Sequence, residues 1–85
     1  MKTGILIKQL RQNAKISQSN FATLIGLSGI PGKQYISNIE RGICLPPINR
    51  INTIAKVLEV NPRIIYLAMK HDDLKKVKEF YEKYL

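Results

Sequence analysis

Apolar residues recur at helical spacing along most of the chain, and no alternating run is long enough to predict a strand. The spacing predicts a first helix that has Thr3 as its N-cap and ends near Asn13. Ser17 is the predicted N-cap of a second helix over residues 18–25, which Gly26 would end in the left-handed conformation. The core positions predicted for these two helices are Leu6, Ile7, Leu10, Ala14, Phe21, Ala22, Leu24 and Ile25.

Glycine and proline mark the boundaries of the next elements. Residues 27–32 contain two glycines and one proline, and a loop is predicted there because Gly32 weakens a helix by about 1 kcal/mol relative to alanine. An extra helical turn beginning at Pro31 is the alternative. Helices are then predicted over residues 33–42 and 48–58, and a short fifth helix follows Asn61 and Pro62 and ends near Lys70. The core positions predicted for the last two are Ile48, Ile51, Ile54, Ala55, Leu58, Ile64, Ile65, Leu67 and Ala68.

The helix predicted over residues 33–42 has two unlike faces. At about 100° per residue, its polar residues fall within one arc of roughly 140° that contains no acid. The donors and acceptors of this arc match base edges and phosphates in a DNA major groove, although an ordinary amphipathic surface helix would show the same division. The polar arc holds Lys33, Gln34, Ser37, Asn38 and Arg41, and the opposite side holds Tyr35, Ile36, Ile39 and Glu40.

Length and charge narrow the possibilities further. With 85 residues, 45% of them hydrophobic, the chain predicts one small globular domain. Its 14 basic and 6 acidic residues give a formal charge of +8, which favours a polyanionic partner such as nucleic acid. Up to Leu45, six basic residues accompany a single acid, Glu40. Lys2, Lys8 and Lys15 are expected to add a diffuse positive field rather than specific contacts.

Other functional classes find little support in the residues. Cys44 and His71 are the only residues of their kinds, so one chain assembles neither a disulfide framework nor a zinc cluster, and no cofactor is indicated. Cys44 is expected to be a small buried hydrophobe. No paired-carboxylate, Cys/His or Ser/His arrangement has a spacing that suggests an enzyme. Without a membrane-spanning run or a signal-peptide pattern, a cytoplasmic location is expected.

Residues 72–85 predict a separate amphipathic helix, capped by Asp72 or Asp73. Its four lysines balance its four acids, so the segment adds nothing to the positive charge. Its apolar arc suits packing either onto the chain's own core or against the same helix of a second copy, and a dimer is preferred. The division expected is residues 1–70 and residues 71–85. The tentative dimerisation residues are Leu74, Val77, Phe80, Tyr81, Tyr84 and Leu85.

The stretch ISQSNFATLIGLSGIPGKQYISNIERG, with the later segment PPINRINTIAKVLEV, resembles the Cro and phage-repressor type of helix-turn-helix protein (XRE-like, lambda repressor-like). The resemblance runs over residues 5–67. It implies an all-α fold of five helices, with the helix after the turn in the DNA major groove and a dimer as the usual assembly. The residues that carry it are Ala22, Gly26, Ile36, Ile39, Glu40 and Gly42.

The resemblance also implies roles for single residues. Gln18 would contact a phosphate, and Lys33, Gln34, Ser37 and Asn38 would face bases. Arg11 and Glu40 would form a structural pair. By their own chemistry, Arg41 suits a phosphate contact or the helix dipole, and Tyr35 suits packing, with a hydroxyl that would reach a phosphate. The turn holds four more residues than the family pattern, residues 29–32.

Two functions are therefore expected from the sequence. The first is a sequence-specific transcriptional regulator, a repressor or small controller protein, that binds a near-palindromic operator in double-stranded DNA as a homodimer. The second is an antitoxin-type module whose C-terminal helix binds a protein partner and whose helix-turn-helix serves autoregulation. An apolar surface left open in the purified protein would favour the second.

Overall fold

The computed structural model describes residues 2–27 and 29–84, and within these it defines side-chain surroundings for all but residues 74–81, 83 and 84. This part of the chain forms five α-helices and no strand, which confirms the predicted all-α class. The helices are α1 (Lys2–Asn13), α2 (Gln18–Leu24), α3 (Gly29–Glu40), α4 (Ile48–Leu58) and α5 (Pro62–Tyr84).

Local capping signals place three helix ends where the sequence predicts them. The Ser17 hydroxyl accepts a hydrogen bond from the Asn20 backbone N–H at 3.0 Å at the start of α2. The Asn61 side chain accepts one from the Arg63 N–H at 2.9 Å at the start of α5. Gly26 has a φ of 92° just after α2. In each case the cap and its target are close neighbours in sequence.

The cap predicted at Thr3 is wrong, because α1 already includes Lys2 and Thr3. The carboxylate of Asp72, from α5, accepts hydrogen bonds from the backbone N–H groups of both residues, each at 2.8 Å. Asp72 therefore satisfies two of the unpaired donors at the start of α1. It does not cap a separate tail helix, and neither does Asp73, because α5 continues through both.

The loop predicted over residues 27–32 is also wrong beyond residue 28, because α3 begins at Gly29 and so has an extra first turn. Pro31 lies in this turn, where a missing N–H removes no helical hydrogen bond. A Cβ on Gly32 would lie only 2.5 Å from the Leu27 carbonyl oxygen and 3.1 Å from the Ala22 Cβ. Glycine thus lets α3 pass close to the end of α2, and this packing offsets its poor helix propensity.

A single 23-residue helix, α5, replaces the short fifth helix and separate tail helix of the prediction. The division into residues 1–70 and 71–85 falls inside α5 and stays a prediction. The tentative dimerisation residues, positions 74, 77, 80, 81, 84 and 85, lie outside the residues whose side chains the structure describes.

One apolar core joins the five helices. Several predicted core positions instead face solvent, because they lie off the arc that each helix turns inward: Leu24, Ile48, Ile64 and Leu67, together with Ala14 beyond the end of α1. In the described part of the chain, no helix combines the length and apolarity needed to cross a membrane. The core consists of Ile7, Phe21, Ala22, Ile25, Ile36, Ile39, Ile51, Ile54, Ala55, Leu58, Ile65 and Met69.

Candidate nucleic-acid interface

The outward face of α3 is the candidate binding surface. Lys33, Gln34 and Arg41 are exposed, and Ser37 and Asn38 are half-buried. The opposite face is anchored by Ile36 and Ile39, which are almost completely buried. The structure therefore brings the five polar residues singled out in the sequence onto one accessible surface, with Arg41 just beyond the last turn of the helix.

The side-chain amides of Gln34 and Asn38, both on this face, are linked by a hydrogen bond. The Gln34 Nε2 donates a hydrogen bond to the Asn38 Oδ1 at 3.0 Å, one helical turn away. An amide nitrogen carries two donors, so this bond engages only one N–H of Gln34 and leaves its carbonyl oxygen outside the contact. The pairing with adenine that glutamine favours uses one such donor and the oxygen. Asn38 thus orients the Gln34 amide and leaves its second N–H and its carbonyl oxygen available to pair with adenine.

A buried ionic network supports the inner side of α3. The Arg11 Nε donates to the Glu40 Oε2 at 2.7 Å and its Nη2 donates to the Oε1 at 3.0 Å, a two-pronged contact between α1 and α3. The Arg11 Nη1 also donates to the Ile16 carbonyl oxygen at 2.8 Å. The side chain of Gln18 completes the network by donating to the Glu40 Oε1 at 3.2 Å. These bonds fix the start of α2 and the end of α3 relative to α1.

The network also removes negative charge from the surface. Glu40, the one acid among the first 45 residues, has a side chain that is 3% exposed and is paired with Arg11. The other basic residues of that stretch all face solvent. Among the first 45 residues, the charged side chains that face solvent are therefore all basic: Lys2, Lys8, Lys15, Lys33 and Arg41.

Tyr35 belongs mainly to the packing of α3. Its ring is half-buried, and its hydroxyl is buried with no hydrogen-bonding partner among the described residues. Burial raises the pKa of Tyr35; the nearby Cys44 thiol adds to this effect, and Arg50 opposes it. A hydroxyl in this position reaches a phosphate only if the ring moves, so the geometry favours packing over contact.

A groove of about 400 Å³ lies beside the extra turn of α3, lined by residues including Pro31, Tyr35 and Arg50. The Arg50 Nη1 donates to the Ile25 carbonyl oxygen at 3.0 Å and so binds α4 to the end of α2. Sequence reasoning missed this contact, and it also missed Asp72 as the cap of α1. No local pattern reveals either one, because the partners lie 25, 69 and 70 residues apart.

Comparisons with known proteins agree with this arrangement. A helix-turn-helix family model matches residues 7–65. Two curated relatives, from two strains of Mycobacterium tuberculosis, are each 31% identical over 64 residues, which cover 75% of this chain and 43% of the relative. Both are described as uncharacterized HTH-type transcriptional regulators. The chain spans less than half the length of these relatives, and no solved structure matches it significantly.

Proposed function

The chain belongs to the Cro and phage-repressor type of helix-turn-helix proteins (XRE-like, lambda repressor-like), and from this premise we propose that it regulates transcription by reading the DNA major groove with α3. The observation that carries the proposal is the outward face of α3. It is accessible, rich in amide and cationic donors, and free of acid. The relatives' description as transcriptional regulators supports the same function.

The side chains on this face suit different parts of a DNA site. Gln34 pairs with an adenine and is held in place by Asn38. Lys33 suits guanine oxygen and nitrogen acceptors in the groove, and Ser37 suits either a base or a phosphate. Arg41 lies just beyond the end of α3, where a contact with the phosphate backbone would set the register of the helix. Gln18, at the start of α2, donates one amide N–H to Glu40, and its second N–H would be the donor to a phosphate.

We propose a homodimer as the binding form, with an apolar groove between α1 and α5 as part of the interface. Leu6, Ile64 and Leu67 line this groove together with Ala68 and the stem of Lys2. Ile64 and Leu67 are 45% and 58% exposed although both are large hydrophobes, and burying the exposed half of each side chain would stabilise an interface by about 1 kcal/mol. A second copy would double the number of bases read.

The DNA proposal is tested by sequencing the genomic fragments that the purified protein retains at moderate salt. A single enriched near-palindrome is expected, with half-site centres about 10 base pairs apart, because two symmetric recognition helices lie one turn of B-DNA from each other. If the retained fragments share no sequence and the affinity falls steeply with salt, the protein binds DNA without sequence specificity, which would contradict the proposal.

The dimer proposal is tested by sedimentation of the wild type and of Leu67→Glu. The variant should sediment as a monomer, while Ile43→Glu should remain a dimer, since Ile43 is equally exposed at 58% but lies outside the groove. Dimers in both variants would place the interface elsewhere. A wild-type monomer would favour the second candidate function, in which this open groove receives a different protein.

A further inference from the structure

Ile30 is the most exposed large hydrophobic residue in the described part of the chain, at 85%. It lies in the first turn of α3, in the four residues by which this chain exceeds the family spacing. An isolated exposed isoleucine is unremarkable on many surfaces. Its position on this helix is what distinguishes it.

Helix geometry places Ile30 on the same stripe as the polar residues of the candidate interface. Gln34 and Ser37 follow Ile30 at four and seven residues, so all three fall within roughly 60° around the helix axis. Ile30 lies about 6 Å from Gln34 along the axis, toward the amino end. The N-terminal part of a recognition helix is the part that meets base edges.

The turn that carries Ile30 is packed firmly. Gly32 brings the backbone of this turn against the Leu27 carbonyl and the Ala22 side chain. Pro31 fixes one backbone torsion within the same turn. The isoleucine side chain is therefore presented on a constrained backbone, which limits the conformational entropy lost on contact.

We propose, resting on the function proposed above, that Ile30 contacts the 5-methyl group of a thymine in each half-site, and so contributes to specificity. The thymine methyl is the apolar group that base pairs present in the major groove. An axial offset of about 6 Å corresponds to at most two base steps of about 3.4 Å from the base that Gln34 reads, and to fewer where α3 lies oblique to the duplex axis. The extra turn would thereby lengthen the recognised half-site.

The test uses the full chain and the operator recovered from genomic DNA. Each thymine in a half-site is replaced in turn by deoxyuridine, which lacks only the methyl group. For the wild type, one replacement should weaken binding about fourfold, the value expected for one buried methyl. Ile30→Ala should weaken binding to the thymine operator by at least as much, and should lose the penalty for that deoxyuridine.

Ile5→Ala is the matched control, because Ile5 is an exposed isoleucine on α1. It should keep both the operator affinity and the deoxyuridine penalty. The proposal is overturned if Ile30→Ala retains the penalty, if its affinity is unchanged, or if it changes only sedimentation, which would assign Ile30 to a protein contact. Failure of the wild type to select any sequence would instead refute the proposed function itself, before any variant is examined.

Discussion

The change Arg11→Met removes three hydrogen bonds at the junction of α1, α2 and α3 and keeps a long apolar side chain in their place. Two of the lost bonds go to Glu40 and one goes to the Ile16 carbonyl oxygen. Glu40 would then remain buried with only the Gln18 amide as a partner. A buried carboxylate without its cation is the main cost of the change.

The two side chains of the pair are only 11% and 3% exposed, so solvent screens their interaction little. Removing one partner of a buried ion pair typically costs about 3–5 kcal/mol. Because Glu40 keeps its hydrogen bond to Gln18, we expect a loss of stability near the lower end of this range, about 3 kcal/mol. Because a domain of this size loses about 4–8 °C in Tm per kcal/mol, Arg11→Met should lower Tm by at least about 12 °C.

Thermal and urea unfolding of four chains measure this effect: the wild type, Arg11→Met, the double variant Arg11→Met/Glu40→Met, and the control Lys8→Met. The double variant should recover most of the lost stability, because it leaves no buried charge. The control, at an exposed position on α1, should match the wild type. A Tm for Arg11→Met close to that of the wild type, or a double variant as unstable as the single one, would refute the assignment of Glu40 as an ion-pair partner.

Three further changes test other parts of the structure. Tyr35→Phe should raise the free energy of unfolding by about 1 kcal/mol, because it removes a buried hydroxyl without a partner, and it should leave operator affinity unchanged; a loss of affinity would indicate a phosphate contact instead. For Asp72, burial raises the pKa, but hydrogen bonds from the backbone N–H groups of Thr3 and Lys2 outweigh it and hold the pKa below its ordinary value of 3.8. The stability that Asp72 contributes is therefore present above about pH 4 and is lost as the pH falls below it. As the pH is lowered through this range, Tm should decrease less for Asp72→Ala than for the wild type. Parallel curves of Tm against pH would refute the role of Asp72 as a cap. Glu59 ends α4 with a φ of 57°, so Glu59→Gly should stabilise the fold by about 1 kcal/mol by relieving left-handed strain, and an unchanged Tm would contradict this.

The sequence predicts those parts of the fold that depend on near neighbours. Ser17 and Asn61 were identifiable as caps because each bonds to a backbone N–H two or three residues away. The start of α3 was not predictable in this way. Glycine has a poor intrinsic helix propensity, and Gly32 is favoured there because only glycine allows the close approach to the Leu27 carbonyl. Asp72 likewise takes its role from a helix at the other end of the chain.

In the candidate site, too, the features set by near neighbours were predictable and those set by distant contacts were not. Helix periodicity was sufficient to group the polar face of α3, because a rotation of about 100° per residue depends on sequence alone. The same rule would have placed Ile30 on this stripe if residues 29–32 had been assigned to the helix. The contact of Gln18 with Glu40 depends instead on how α2 packs against α3, which no local pattern encodes.

The central claim is that α3 reads bases, and its most direct test compares Gln34→Ala with the wild type on the recovered operator and on random DNA. The variant should lose about 1–3 kcal/mol of binding free energy on the operator and almost none on random DNA, because base contacts specify a site and phosphate contacts position the protein. The control Gln12→Ala, at an exposed glutamine on α1, should bind both as the wild type does. Equal losses of Gln34→Ala on the two DNAs, or no loss on either, would contradict the claim.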